Sequence, residues 1–280
     1  MTEKIDYDIV EDKYIVLKQN AGFFSCCSVR LNSIITFYNR YGRLPEKVDS
    51  SYQFRLYKLH SKLEQDITYD YFAREDDAAN SVPPPRKIDY LERYQFSNFE
   101  FLDYKGIVPI VQRYFSPSQQ IQNAICDIED KYKLDYKNLC VLFFRGNDKG
   151  TEMFLPSYSA FLERARAQLK TNPQTTFLLQ SDETEFLEYM ARELGHCGDG
   201  DIPPRVIIFN DEIRHMRRQR SSVDKLPDST KTNYYYSQLF LAITIIMSRA
   251  NTVICTSGNC SIWIAFYRGG ADGIIQFGGK

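Results

Sequence analysis

The densest run of chemistry-bearing side chains is Arg145-Gly146-Asn147-Asp148-Lys149-Gly150-Thr151-Glu152, which packs two cations, two carboxylates and two glycines into eight residues directly after the apolar stretch Leu139 to Phe144. Arg145 offers a permanently charged, bidentate fork that suits a diphosphate, and Gly146 and Gly150 let the backbone come close to a ligand. Lys149 adds a second positive charge. Asp148 or Glu152 can accept a proton from an attacking hydroxyl. The same residues also fit a solvated turn closed by an internal ion pair.

Two further clusters follow other apolar stretches. Cys255-Thr256-Ser257-Gly258-Asn259-Cys260 leads into a helical pattern. Small hydroxyl and amide residues at a helix start supply backbone N–H groups, hydroxyl donors and the positive end of the helix dipole, which together make a phosphate seat. An ordinary N-cap accounts for one Ser or Asn, not for a glycine and four small residues in a row. In Gln180-Ser181-Asp182-Glu183, Asp182 either binds a ribose hydroxyl or base edge, or caps the helix that follows.

These clusters need elements to hold them. From Leu139 onward short apolar runs (139–144, 175–179, 206–209, 252–255, 273–277) alternate with helical spacing (157–169, 183–194, 234–249, 261–267), the order of a parallel sheet covered on both faces. All three clusters then sit at the carboxyl edge of one sheet, the usual place for a ligand. The first half begins as strand, helix, strand: Tyr14 to Leu17, a small-residue loop from Asn20 to Ser28 running into a helix that ends at Tyr41-Gly42, and a short strand near Val48. Residues 52–94 read as an irregular insertion, and a helix spans Gln119 to Tyr132. We therefore expect two α/β domains, 1–136 and 137–280, with a cleft between them.

Other signals exclude function classes. The formal net charge of −1 gives no global field for nucleic acid or an anionic membrane. The acidic, polar N-terminus and the short apolar runs point to a soluble, non-exported, cytoplasmic protein. Seven cysteines without a CxxC, and three histidines far apart in sequence, point to reduced thiols and no zinc site. GxGxxG, GxxxxGK[ST] and GxSxG are all absent from the sequence. Asp199-Gly200-Asp201 is formally a DxD but reads as a surface turn; Arg214 to Arg220 reads as a solvated helix face, with a loop closing on phosphates as the alternative, and Tyr234 to Tyr236 as core or domain interface, with one ring able to stack on a pyranose as the alternative.

The order RGNDKGTE, LLQSDE and VICTSGN before a helix resembles the donor domain of the fucosyltransferase superfamily, which includes α-1,6- and protein O-fucosyltransferases. NAGFFSCCSVRLNSIITFYNRYG resembles the glycine-containing loop and first helix of that family. The resemblance implies a GT-B fold of two facing Rossmann-like domains and inverting, metal-independent sugar transfer without a cofactor. It implies that Arg145 holds the donor diphosphate, that Asp148, Lys149 and Glu152 match the acid, lysine and proposed base that follow it, and that Asp182 lies near the nucleoside. It also implies a phosphate loop at Thr256, Ser257, Gly258 and Asn259, and an acceptor loop at Gly22, Phe23, Phe24 and Ser25. The α-1,6 enzymes carry a second arginine where this chain has Gly146, and many relatives continue well past the last strand. The chain is also similar to small glycosyltransferases of large algal DNA viruses, which build capsid glycans in the host cytoplasm and include xylosyltransferases acting on fucose. UDP-xylose is thus the expected donor ahead of GDP-fucose, with a glycan or glycoprotein as acceptor; a noncatalytic sugar-nucleotide or glycan-binding module is the contrasting expectation.

Overall fold

The computed structural model describes residues 7–74, 82–195, 206–226 and 232–278. The chain folds as a mixed α/β protein around two sheets. The larger contains β4 (Leu139–Phe144), β5 (Thr176–Ser181), β6 (Val206–Ile208), β7 (Thr252–Thr256) and β8 (Ile274–Phe277), in the order β6-β5-β4-β7-β8 and parallel throughout. Every residue of β4 and β7 is buried, which explains the unbroken apolar run of β4 and the apolar centre of β7 between Thr252 and Thr256. The helices α5 (Tyr158–Thr171), α6 (Thr184–Gly195), α7 (Asn233–Arg249) and α8 (Asn259–Arg268) make the crossovers. Strand order reverses between β4 and β7, so the loops leaving these two strands diverge and open a crevice at their carboxyl ends.

The smaller sheet has the order β1 (Tyr7–Val10), β2 (Tyr14–Leu17), β3 (Lys47–Asp49). β2 and β3 are parallel, with Ile15 opposite Val48, and are joined through α1 (Phe23–Tyr41); β1 adds antiparallel to β2. Three elements depart from the sequence reading. First, α1 starts at Phe23, so the loop expected from Asn20 to Ser28 is helical over most of its length: Phe23, Phe24, Cys26, Cys27 and Val29 are all buried, a helical set that the run of small residues concealed. Second, α3 (Tyr104–Tyr114) was not foreseen, because Gly106 and Pro109 punctuate it; Asp103 caps it by accepting from the Gly106 N–H. Third, residues 52–94 contain 3₁₀ turns and the single-turn α2 (Thr68–Tyr71), yet Phe54, Tyr57, Ile67, Tyr71 and Phe72 are core residues rather than an appendage.

The two chain segments share one hydrophobic core. α4 (Gln119–Tyr132) packs on α7, while α8 packs on α1 and α3. Fully buried Trp263 donates from its indole N–H to the Ser28 hydroxyl at 3.0 Å, and Ser28 donates in turn to Asn259 Oδ1 at 2.8 Å. These contacts bring the start of α1 to the carboxyl edge of the larger sheet.

Candidate functional site

The loop after β4 is held by side chains from its neighbours. The Arg145 N–H donates to Thr256 Oγ1 (3.1 Å), the Gly146 N–H to Asp182 Oδ1 (2.9 Å) and the Asn147 N–H to Glu183 Oε2 (3.1 Å). Asn147 takes a left-handed φ of 46°, and its side chain donates to the Asp182 carbonyl at 2.6 Å. Three successive amides are thus spent on fixing the loop and are closed to a ligand. Gly146 has a different use from the close ligand approach expected of it: a Cβ there would collide with the Glu183 carboxylate and lie 2.8 Å from the Phe144 ring.

The cations this loop displays are caged. Arg145 pairs with Asp148 at 2.7 Å and with the nearly buried Asp182. Lys149, only 7% exposed, pairs with Glu152 at 2.5 Å, donates to Gln95 Oε1 at 3.2 Å and lies 4.7 Å from the Phe96 ring centroid. The internal ion pairs that the sequence left as an alternative are therefore present. Lys149 is nonetheless buried, Glu152 stays half exposed, and Arg145, Asp148, Lys149 and Glu152 all line one cleft.

At the end of β7 the hydroxyls are also committed. Thr256 Oγ1 holds the Arg145 amide, Ser257 donates to the Phe277 carbonyl (3.0 Å) and accepts from Gln276 (2.7 Å), and Asn259 Oδ1 serves Ser28. What remains is the first turn of α8, whose leading amides have no partner within a helix. Gly258 precedes it with φ 152° and no side-chain cap, and the first turn carries no acidic residue. A Cβ on Gly258 would stand 3.2 Å from Lys149 Cε, so the lysine stem runs beside this helix end. Two cations and a positive helix terminus meet here, balanced by Asp148, Glu152 and Asp182.

The cleft encloses about 520 Å³, within the range of small-molecule sites. Its opposite wall is the start of α1. Gly22 is the residue before the first turn, and Ser25 accepts from Gln19 Nε2 at 3.3 Å. The rings of Phe23 and Phe24 are 3% and 4% exposed and pack on Tyr71 and Phe240, so this segment presents a helix start to the cleft, not the loop expected of it. Gly146 and Thr256 stand behind the lining; the other expected site residues line it.

Sequence spacing did not flag Tyr57 and Asp224 as parts of the wall, and it singled out Arg214 only as a member of the basic cluster 214–220. The Tyr57 hydroxyl accepts from the Phe23 N–H (2.9 Å) and donates to Asp224 Oδ2 (3.0 Å), and Asp224 receives Arg214 at 2.9 Å. Burial first, and then the Asp224 charge, push the Tyr57 phenol well above its ordinary range, so it stays protonated as a donor. Residues 214–220 are not a helix: Arg214 lies 4.5 Å from the Tyr236 ring centroid in the cleft wall, while Arg217 pairs with Glu188 on the outside. Burial pushes the Cys260 thiol, also in the lining, up to about 12, which removes it as a nucleophile at neutral pH. Asp199 to Asp201 and residues 75–77 lie outside the described residues. Among the described residues no three His, Cys, Asp or Glu side chains gather as metal ligands, and no helix is long and apolar enough to cross a membrane. No family model and no curated protein matches the chain.

Proposed function

We propose that the protein is an inverting, metal-independent glycosyltransferase that moves one sugar from a nucleoside diphosphate carrier to a glycan hydroxyl. The observation that carries this reading is the convergence of Arg145, Lys149 and the uncapped first turn of α8 on a single cleft. A leaving diphosphate needs charge of this kind, fixed in advance and shielded from water. In this reading the chain has the GT-B plan, with residues 137–280 holding the donor and residues 1–136 the acceptor.

The residues then divide the work. The diphosphate replaces carboxylates around Arg145 and Lys149, and α8 amides bind its oxygens. Lys149 exchanges Glu152 for phosphate, which frees the Glu152 carboxylate; its side chain is 47% exposed and able to turn toward the acceptor. The acceptor hydroxyl attacks the anomeric carbon as the bond from that carbon to the diphosphate oxygen breaks. The diphosphate leaves with the electron pair, and Glu152 takes the hydroxyl proton. Asp148 and Asp182 hold the Arg145 fork in place, which favours Glu152 over Asp148 as the base.

The donor is UDP-xylose in preference to GDP-fucose. A second reading, a noncatalytic sugar-nucleotide-binding module, draws on the pairing of both candidate bases with cations. Turnover separates the two. Incubation with UDP- and GDP-sugars in chelator, following diphosphate release with and without a fucosylated acceptor glycan, should give acceptor-dependent release. Nucleotide binding with no release from any donor would leave the binding module, and strict dependence on a divalent ion would remove the metal-independent mechanism.

A further inference from the structure

At the back of the cleft the penultimate residue of β5, Gln180, carries a hydrogen-bond deficit. It is 5% exposed, lies beside Phe143 in the sheet register and lines the cleft, yet its buried Oε1 has no partner among the described residues. An unmet carbonyl in the interior is costly and calls for a reason. The same lining also carries the apolar side chains of Phe143, Ile213, Phe240 and Ile243. Several polar side chains of the same lining are committed elsewhere. Glu212 is held by Lys131 and Tyr132, Ser237 by Tyr71 and the Tyr234 carbonyl, and Ser261 by the Thr256 carbonyl.

The topology says which part of a ligand would meet it. A diphosphate at Arg145, Lys149 and α8 sits at the switch point between β4 and β7. The rest of a nucleotide can then run across β4 toward β5, where Gln180 stands. We propose that Gln180 reads the nucleobase, accepting the N3–H of uracil on Oε1 and donating from its amide nitrogen to the adjacent ring carbonyl. This assignment rests on the nucleotide-sugar reading above and names its base. Along one edge a carboxamide presents an acceptor beside a donor, which matches the N3–H and one carbonyl of the uracil imide edge. Guanine can offer N1–H and O6 to the same carboxamide, but its 2-amino group is then left without a partner on this side chain; a carboxylate would take N1–H and the amino group together.

Calorimetric titration of UDP and GDP into the wild type, Gln180→Leu and Gln180→Glu tests this, with melting temperatures of the ligand-free proteins. The wild type should prefer UDP. Gln180→Leu should weaken UDP about tenfold, the loss of a well-made neutral hydrogen bond. Its ligand-free melting temperature should hold or rise, because an unpaired buried carbonyl has gone. Gln180→Glu should move the UDP-to-GDP affinity ratio toward GDP by about tenfold. An unchanged ratio in both variants, or a large loss of melting temperature in Gln180→Leu, would overturn the assignment while leaving nucleotide binding intact. If the wild type binds neither nucleotide, the nucleotide-sugar reading falls and the assignment falls with it.

Discussion

Arg145 and Glu152 stand in similar ion pairs but should respond differently to substitution. Arg145→Ala removes a charged donor aimed at the diphosphate and should weaken nucleoside diphosphate binding by about 1.5 to 3 kcal/mol while abolishing transfer. Unchanged affinity in a folded variant would take Arg145 out of the site. Glu152→Gln keeps the shape and removes the base, so binding should persist while turnover falls by about 10² to 10⁴. If Glu152→Gln turns over normally and Asp148→Asn is inactive, the two carboxylates exchange roles; if both stay active, the base lies on the opposite wall. Charge density at a strand end was enough to pick out Arg145, Asp148, Lys149 and Glu152 from the sequence. It did not reach Tyr57, nor separate Arg214 from the rest of its basic cluster, because their partners Phe23, Asp224 and Tyr236 are brought together only by tertiary packing.

Among the elements, the loop after β4 depends on one missing side chain. Gly146→Ala forces a methyl into the Glu183 carboxylate and the Phe144 ring, and should cost about 1 to 3 kcal/mol of stability, read as a lower urea midpoint. A variant as stable as the wild type would mean that this loop is not pinned as described. Gly258→Ala should act otherwise, straining the left-handed residue before α8 and pressing on Lys149, so that nucleotide affinity falls along with stability. Strands β4 to β8 were legible because each is a short apolar run bounded by turns, buried where the sheet is doubly covered. The start of α1 and the whole of α3 were not, since adjacent cysteines, serine, Gly106 and Pro109 resemble loop punctuation until their partners bury them.

The whole molecule unites segments that the sequence divides near Tyr136. With α4 against α7, α8 against α1 and α3, and one core through both, calorimetry should show a single unfolding endotherm. Two well-separated transitions would contradict a shared core. Burial raises Cys26 and Cys27, and brings Cys140, Cys255 and Cys260 to about 12, while Cys126 is exposed. Among the described cysteines, native alkylation at mildly alkaline pH should therefore label Cys126 alone, as peptide mass mapping can read; prompt labelling of Cys260 would mean that its wall opens freely. The most direct test of the proposed activity is a crystal structure of the protein with UDP bound. The diphosphate is expected within hydrogen-bond distance of Arg145, Lys149 and the first-turn amides of α8, with Lys149 drawn away from Glu152. A diphosphate seated elsewhere, or one bound with Arg145 and Lys149 still closed on their carboxylates, would contradict it.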